Sequence, residues 1–199
     1  MIRLSRIMAS AAIALSLGGC ALLGGGAKTP AWLLTLTPAA AAPPSINRTA
    51  SVGESVTIDV PVIPEALRTT RVPVQSGPIA IAYVKDLTWV DRPDKLFQDL
   101  VAETVTRTTN RVVLDPRQSN LDPGLTVTGN LSRFGFDSQE NAVLVRYDAT
   151  VSANGGSAVR TRRFEAREPA DGTAASVGPA LNSAANRVAA EVAQWIGGV

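Results

Sequence analysis

Near the C-terminus, Val177, Leu181, Ala184, Ala185, Val188, Val192, Trp195 and Ile196 recur at spacings of three and four. That period marks one face of an α-helix, and so long a stripe needs a broad apolar partner. Upstream, Val143, Val145, Tyr147, Ala149 and Val151 alternate strictly, as in a strand with one buried face. Leu125, Val127, Gly129 and Leu131 alternate too, but the apolar phase shifts before Phe134 and Phe136. That shift predicts a β-bulge near Ser132-Arg133. A helix that must bury a stripe and strands that must bury a face answer one another.

The remaining elements follow from local signals. Trp32 to Leu36 reads as a first strand and Pro38 to Gly53, with its AAAAPPS run, as a loop. Ser55 to Val62 alternates as a strand, and Pro64 to Leu67 fits a single turn. Val72–Val74 and Ile79–Val84 are strand candidates broken at Gly77-Pro78. Asp91-Arg92-Pro93-Asp94 opens a helix, with Asp91 placed to accept from free first-turn amides. Leu96, Phe97, Leu100, Val101, Val105 and Thr108 share its apolar face, and it should end near Asn110, before a short strand at Val112–Leu114. Ser138–Asn141 and Asn154-Gly155-Gly156 are hairpin turns, Ala158–Arg167 is a charged outer strand, and Asp171–Thr173 caps the last helix. The expected fold is α+β: an antiparallel sheet with two helices packed on one face.

The N-terminus is organised differently. Arg3 and Arg6 precede an apolar run, Ile7 to Leu17, and then Leu17-Gly18-Gly19-Cys20. The layout is that of a signal peptide, and the run is too short to span a bilayer comfortably. Its last four residues look like a bacterial lipobox. That likeness implies cleavage before Cys20, acylation of its sulfur and then of its amino group. Each buried CH2 contributes about 0.8 kcal/mol, so two or more chains hold stably. Ala21, not Asp, follows the cysteine, which by analogy with bacterial lipoproteins favours the outer membrane. The expected organisation is a signal peptide at 1–19, a lipidated Cys20 with a Gly-rich tether to residue 31, and one domain at 32–199.

Composition narrows the chemistry. Removing Arg3 and Arg6 from 19 basic residues leaves 17, against 17 acidic ones. The mature chain is near neutral, and its charge gives no argument for nucleic acid. There is no histidine, and Cys20 is the only cysteine. That excludes Ser-His-Asp and Cys-His catalysis, the usual His-containing zinc sites and an internal disulfide. No phosphate-loop or Rossmann signature is present, and neither a metal nor a cofactor is expected. The carboxylates could in principle serve a hydrolase acting through two acids, but they carry no signature.

Three stretches then line up: Pro64-Glu65-Ala66-Leu67 leading to Val72-Pro73-Val74, Ile79 to Tyr83, and Leu87-Thr88-Trp89 before an apolar helix. With the lipobox and the Trp32-Leu33 strand, their order resembles the ABC-type transport auxiliary lipoprotein family, which includes the paraquat-inducible-type lipoproteins. Trp32, Pro64, Leu67, Trp89, Leu96, Leu100 and Val101 occupy the family's places. Trp32-Leu33 stands where tyrosines are common, and the loop from Ala39 to Gly53 is long. The resemblance implies a non-enzymatic outer-membrane lipoprotein of an ABC/MCE-type lipid transport system. Its implied partners are an MCE-domain (mammalian-cell-entry-type) protein with its ABC permease and ATPase. Contact with phospholipid and homo-oligomer formation stay open. The alternative is an outer-membrane assembly or scaffolding lipoprotein without lipid cargo.

The candidate site residues are Cys20 for lipidation, and Trp89, Arg160, Arg162, Arg163 and Arg167 for partner binding. Tryptophan is enriched at interaction hot spots, but Trp89 equally fits core packing under the helix start. Arginines crowded on one strand can fork onto phosphates or carboxylates; a charge-protected edge strand carries the same pattern. A sheet edge could also accept a partner strand.

Overall fold

The structure, a computed structural model, describes residues 33–122, 124–153 and 156–198. The signal, Cys20, the tether and the turn residues Asn154-Gly155 lie outside the described residues. What is described belongs to one unit, Trp32–Val199.

The described residues form seven strands and two α-helices: β1 (Val56–Ile58), β2 (Arg71–Gln75), β3 (Ile81–Thr88), α1 (Pro93–Thr108), β4 (Val113–Leu114), β5 (Leu125–Asp137), β6 (Ala142–Ala153), β7 (Ala158–Pro169) and α2 (Ala174–Gly197). The expected α+β architecture is present. β5, β6 and β7 form the antiparallel meander. On the other edge of β5, β1 pairs with its start and β2 with its end, both parallel. β4 joins β1 in parallel and β3 joins β2 antiparallel. The sheet is therefore mixed rather than wholly antiparallel. The cause is that the chain between β1 and β2 tracks β5 in β5's own direction. Asp59 N–H donates to Val127 O, Val62 N–H to Gly129 O, and Leu131 N–H back to Val62 O, each at 2.9 Å.

The bulge falls where the apolar phase shifts. The β5–β6 register slips between Leu131, opposite Tyr147, and Arg133, opposite Arg146. Phe134 and Phe136 consequently stay on the face of Val127 and Leu131, and all four are buried. Gly129 is required on that face. A Cβ there would lie 2.5 Å from Cε2 of Tyr147, whose hydroxyl donates to Thr128 O at 3.2 Å. Burial, then the nearby charge of Asp59, pushes the Tyr147 phenol far above its usual range.

Both helices cover this one face. Phe97 of α1 meets Tyr147 edge-on with centroids 5.1 Å apart. Phe164, opposite Tyr147 on β7, meets Trp195 of α2 at 5.5 Å. The α2 stripe is buried as its spacing predicts, Trp195 excepted, which is half-buried. Thr173 caps α2 by accepting from Ser176 N–H, and Asp171 holds Thr173 in turn. α1 differs in detail. Arg92, not Asp91, is its cap residue, because the Asp91 carboxylate turns back to Arg92 N–H at 2.6 Å. Thr104 is buried instead of the exposed Thr108, and its hydroxyl donates to Leu100 O at 2.7 Å.

Of the expected Trp32–Leu36 strand, Trp32 lies outside the described residues and Leu33–Leu36 form no strand. Leu34 alone bridges Trp89, donating to Thr88 O at 2.9 Å and accepting from Val90 N–H at 2.8 Å. The chain then crosses α2, where side-chain amides replace a strand partner. Thr37 N–H donates to Asn182 Oδ1 at 2.9 Å, Ala39 N–H to Asn186 Oδ1 at 2.6 Å, and Asn186 Nδ2 to Thr37 O at 2.9 Å. Gly178 lets Leu34 approach, since a Cβ there would meet Leu34 Cδ1 at 2.8 Å.

Beneath this crossing, Trp89 is 2% exposed. Its ring tilts 55° against Phe134 with centroids 5.7 Å apart. The buried indole N–H has no hydrogen-bond partner among the described residues.

Two outcomes are expected from urea denaturation. Asn186→Ala strands the Thr37 carbonyl and the Ala39 amide, and should cost about 1–3 kcal/mol. Trp89→Ala should cost about 3–5 kcal/mol, as removal of a core aromatic does; a loss below about 1 kcal/mol would mean that the ring is not core.

Candidate functional site

Strand alternation divides the four arginines of β7. Arg163 and Arg167 stand opposite Asp148 and Leu144, on the sheet face away from the helices. Arg163 forks onto Asp148 at 2.6 and 3.1 Å. Arg167 reaches Glu140 at 2.9 Å and also Glu165, which Arg146 holds from the next strand. Burial raises the Glu165 carboxyl, but the two guanidiniums outweigh it and hold it below its usual range. This face is thus a ladder of mutually satisfied charges, each exposed pair contributing about 0–1 kcal/mol.

Arg160 and Arg162 stand opposite Val151 and Ala149, on the helix-bearing face. Neither has a carboxylate within ion-pair distance among the described residues. Arg162 lies over the Phe164 ring at 4.9 Å. Arg160 lines a hollow at the end of the sandwich. The structure does not bring the five partner-binding candidates together: Trp89 is a core group, two arginines are neutralised, and two point to the helix side. Cys20 lies outside the described residues.

The hollow beside Arg160 has a volume of about 380 Å³ and is walled by Leu125, Val151, Ala153 and Ala158. It adjoins a second of about 690 Å³, framed by the C-terminal ends of α1 and α2 and by the loop through Ala50. Glu54 and Arg111 line both. Arg48 donates to Arg111 O at 3.0 Å, and Glu54 accepts from Ser51 N–H at 3.0 Å. Within the smaller hollow Leu125 and Val151 are buried, whereas Glu54, Ala158 and Arg160 are exposed. Residues 48–54 and 111 carry no sequence signal for lining these hollows, because only tertiary folding brings them beside β5 and β7.

A second feature lies at the far end of β5. The β2–β3 hairpin tip turns at Gly77, with φ +91°, and closes through Ser76 N–H to Ala80 O at 2.9 Å. Ile79 is 98% exposed and Ile81 52%, and β3 is the terminal strand of the sheet, met by Leu34 only at its Thr88 end among the described residues.

A third hollow, about 410 Å³ beside α1, is lined by Asp99, Glu103 and Asp115 among others. Burial, then the charges of Asp91 and Asp115, raises the Asp99 carboxyl. Among the described residues, no group of three or more acidic, histidine or cysteine side chains is arranged to hold a metal. No described helix is long and apolar enough to cross a membrane.

The fold recurs in solved structures. A Xanthomonas campestris protein of a domain family of unknown function, number 330, superposes with a TM-score of 0.67 at 16% identity, over 83% of this chain and 95% of that one. An uncharacterised protein gives 0.59 at 12% identity, over 75% and 96%. A dodecameric PelC from Paraburkholderia phytofirmans reaches only 0.40 at 9% identity, over 73% and 92%. No curated protein matches the sequence. The sequence profile of the ABC-type transport auxiliary lipoprotein component family matches residues 34–193, from the Leu34 bridge almost to the end of α2. The chain therefore belongs to the ABC-type transport auxiliary lipoprotein component family.

Proposed function

We propose that this protein is a non-enzymatic, lipid-anchored subunit of an ABC/MCE-type lipid transport system. In this reading, acylation of Cys20 holds it at the periplasmic face of the outer membrane, and the domain docks the MCE-domain protein that spans the periplasm. Family membership supports the association with an ABC system.

The β2–β3 hairpin is the observation that carries the docking role. Single exposed aliphatic residues are ordinary, but here Ile79, Ala80, Ile81 and Ala82 are consecutive and exposed. They adjoin an unpaired strand edge, which natural proteins normally blunt with charge or distortion. β3 has such devices only in its second half, at Lys85 and at Asp86 with φ +56°. Its first half is left open. A partner strand can add there through backbone hydrogen bonds and rest its side chains on Ile79 and Ile81.

The test is a pull-down from detergent-solubilised membranes of the native cell, using the mature chain with Cys20→Ser. An MCE-domain protein should be recovered with its permease, and the double variant Ile79→Asp/Ile81→Asp should lower that recovery about tenfold or more. Undiminished recovery by the double variant would remove the hairpin from the interface. Recovery of an outer-membrane barrel alone would favour the assembly-lipoprotein reading instead.

A further inference from the structure

β7 pairs with β6 alone, so it is a terminal strand of the sheet, and its first half is open. Residues 158–163 are six consecutive exposed residues. Helix cover begins only at Phe164, which meets Trp195 near the end of α2 at 5.5 Å. Three marks show which backbone groups point away from β6. Ala170 N–H donates to Asn141 O at 3.0 Å, so its position faces inward. Pro169, next to it, has no N–H to give a ladder, and Arg187 of α2 reaches Arg167 O at 3.4 Å from outside the sheet. The pairing of β6 with β7 runs from Ala158 to Pro169 without a slip. Outward groups therefore recur at every second residue, and Val159, Thr161 and Arg163 each aim N–H and C=O at solvent. The second half of the edge is closed by Arg187, which also holds Glu168 at 2.8 Å.

The open half carries unspent charge. On the face away from the helices, Arg163 is neutralised by Asp148 at 2.6 and 3.1 Å. On the helix-bearing face, Arg160 and Arg162 are exposed, and neither makes an ion pair among the described residues. Arg162 rests on the Phe164 ring instead. Glu54 lines the smaller hollow with Arg160 but gives its carboxylate to Ser51 N–H.

We propose that residues 158–163 of β7 receive an extended acidic segment of a partner protein, which adds to the sheet as a further strand and sets acids at alternate positions against Arg160 and Arg162. The outward N–H and C=O groups of Val159, Thr161 and Arg163 supply the ladder, and strand addition draws its affinity from such backbone bonds. Alternate residues of a strand share a face, so acids two apart in the segment meet guanidiniums two apart on β7. A guanidinium forks onto a carboxylate through two parallel hydrogen bonds. The same charges turn away a second copy of this chain. Antiparallel self-pairing centred on Thr161 sets Arg160 opposite the other copy's arginine at position 162, and like charges directly opposite destabilise a pair. Charge on an edge strand thus selects a partner here as well as blunting the edge. The proposal goes beyond the docking role and does not depend on the hairpin.

The test uses the mature chain with Cys20→Ser and a labelled peptide, Thr-Glu-Val-Glu-Val-Glu-Thr, read by fluorescence anisotropy and by amide hydrogen exchange. The peptide should bind, and the exchange of the Val159, Thr161 and Arg163 amides should slow about tenfold or more, while the Arg160 and Arg162 amides, already turned to β6, change little. Peptides with glutamine or lysine for glutamate, or with alternate backbone amides N-methylated, should bind at least about tenfold more weakly. The double variant Arg160→Glu/Arg162→Glu should weaken binding about tenfold or more, the loss expected for charge-assisted contacts, and should take the lysine peptide instead. Thr161→Pro removes only an outward N–H, which an edge strand tolerates, and should weaken binding as much. If Thr161→Pro fails to fold, the exposed arginine pair still tests the site. The proposal is overturned if the peptide does not bind, if the N-methylated or glutamine peptide binds as tightly, or if the arginine variant binds as the parent does. Self-association by sedimentation that Thr161→Pro abolishes, with no peptide bound, would give the edge to a second copy and overturn it too. Ile79→Asp/Ile81→Asp should bind the peptide as the parent does. Loss of peptide binding with an intact pull-down would refute this site alone, and the converse would refute the hairpin alone.

Discussion

β5 has hydrogen-bonding partners along both edges. β6 follows it for nearly its full length, while the other edge is divided among β1, the single bridge from Val62, and β2. One strand therefore ties the N-terminal third of the domain to the meander. The bulge between Leu131 and Arg133 makes this possible. Without it, the period-two rule would send Phe134 and Phe136 to the charged face. With it, β5 offers one continuous apolar face to both helices, and Tyr147 links the layers by touching Phe97 and Thr128 O.

The two exposed features sit at opposite ends of this strand. The β2–β3 hairpin borders Phe136–Asp137, whereas the smaller hollow begins at Leu125. Twelve residues of extended chain separate them, about 40 Å at roughly 3.3 Å per residue. The face between them, away from the helices, is closed by its own ion pairs, from Arg133–Asp137 to Arg163–Asp148. That leaves its charges little to offer a ligand.

Most of the fold is legible in the sequence because its signals are local. The shifted phase before Phe134 marks the bulge, and the α2 stripe marks the helix that covers the sheet. The parallel pairings are not legible, because alternation records which face is buried and not which way the neighbour runs. The Trp32–Leu36 segment misleads for a related reason. Its apolar residues are real core and near-core contacts at Leu34 and Leu36, but Asn182 and Asn186, far along the chain, satisfy the backbone that follows. The arginine cluster was half legible: the parity of 160 and 162 against 163 and 167 already assigns opposite faces. That Arg163 and Arg167 are neutralised depends on Asp148 and Glu140 across the meander. The hairpin tip reads from sequence as the break at Gly77-Pro78 and the start of the Ile79–Val84 strand candidate. Only its place at the sheet edge shows that it lacks a cover.

The docking account is tested most directly by contact in the cell. A photo-reactive amino acid replacing Ile79, in the full-length lipoprotein expressed in its own host, should on irradiation give one dominant adduct containing the MCE-domain protein. The same probe replacing Thr128, exposed on the face of β5 away from the helices, should give none. No adduct at position 79, or an adduct with an outer-membrane barrel protein instead, would contradict the account.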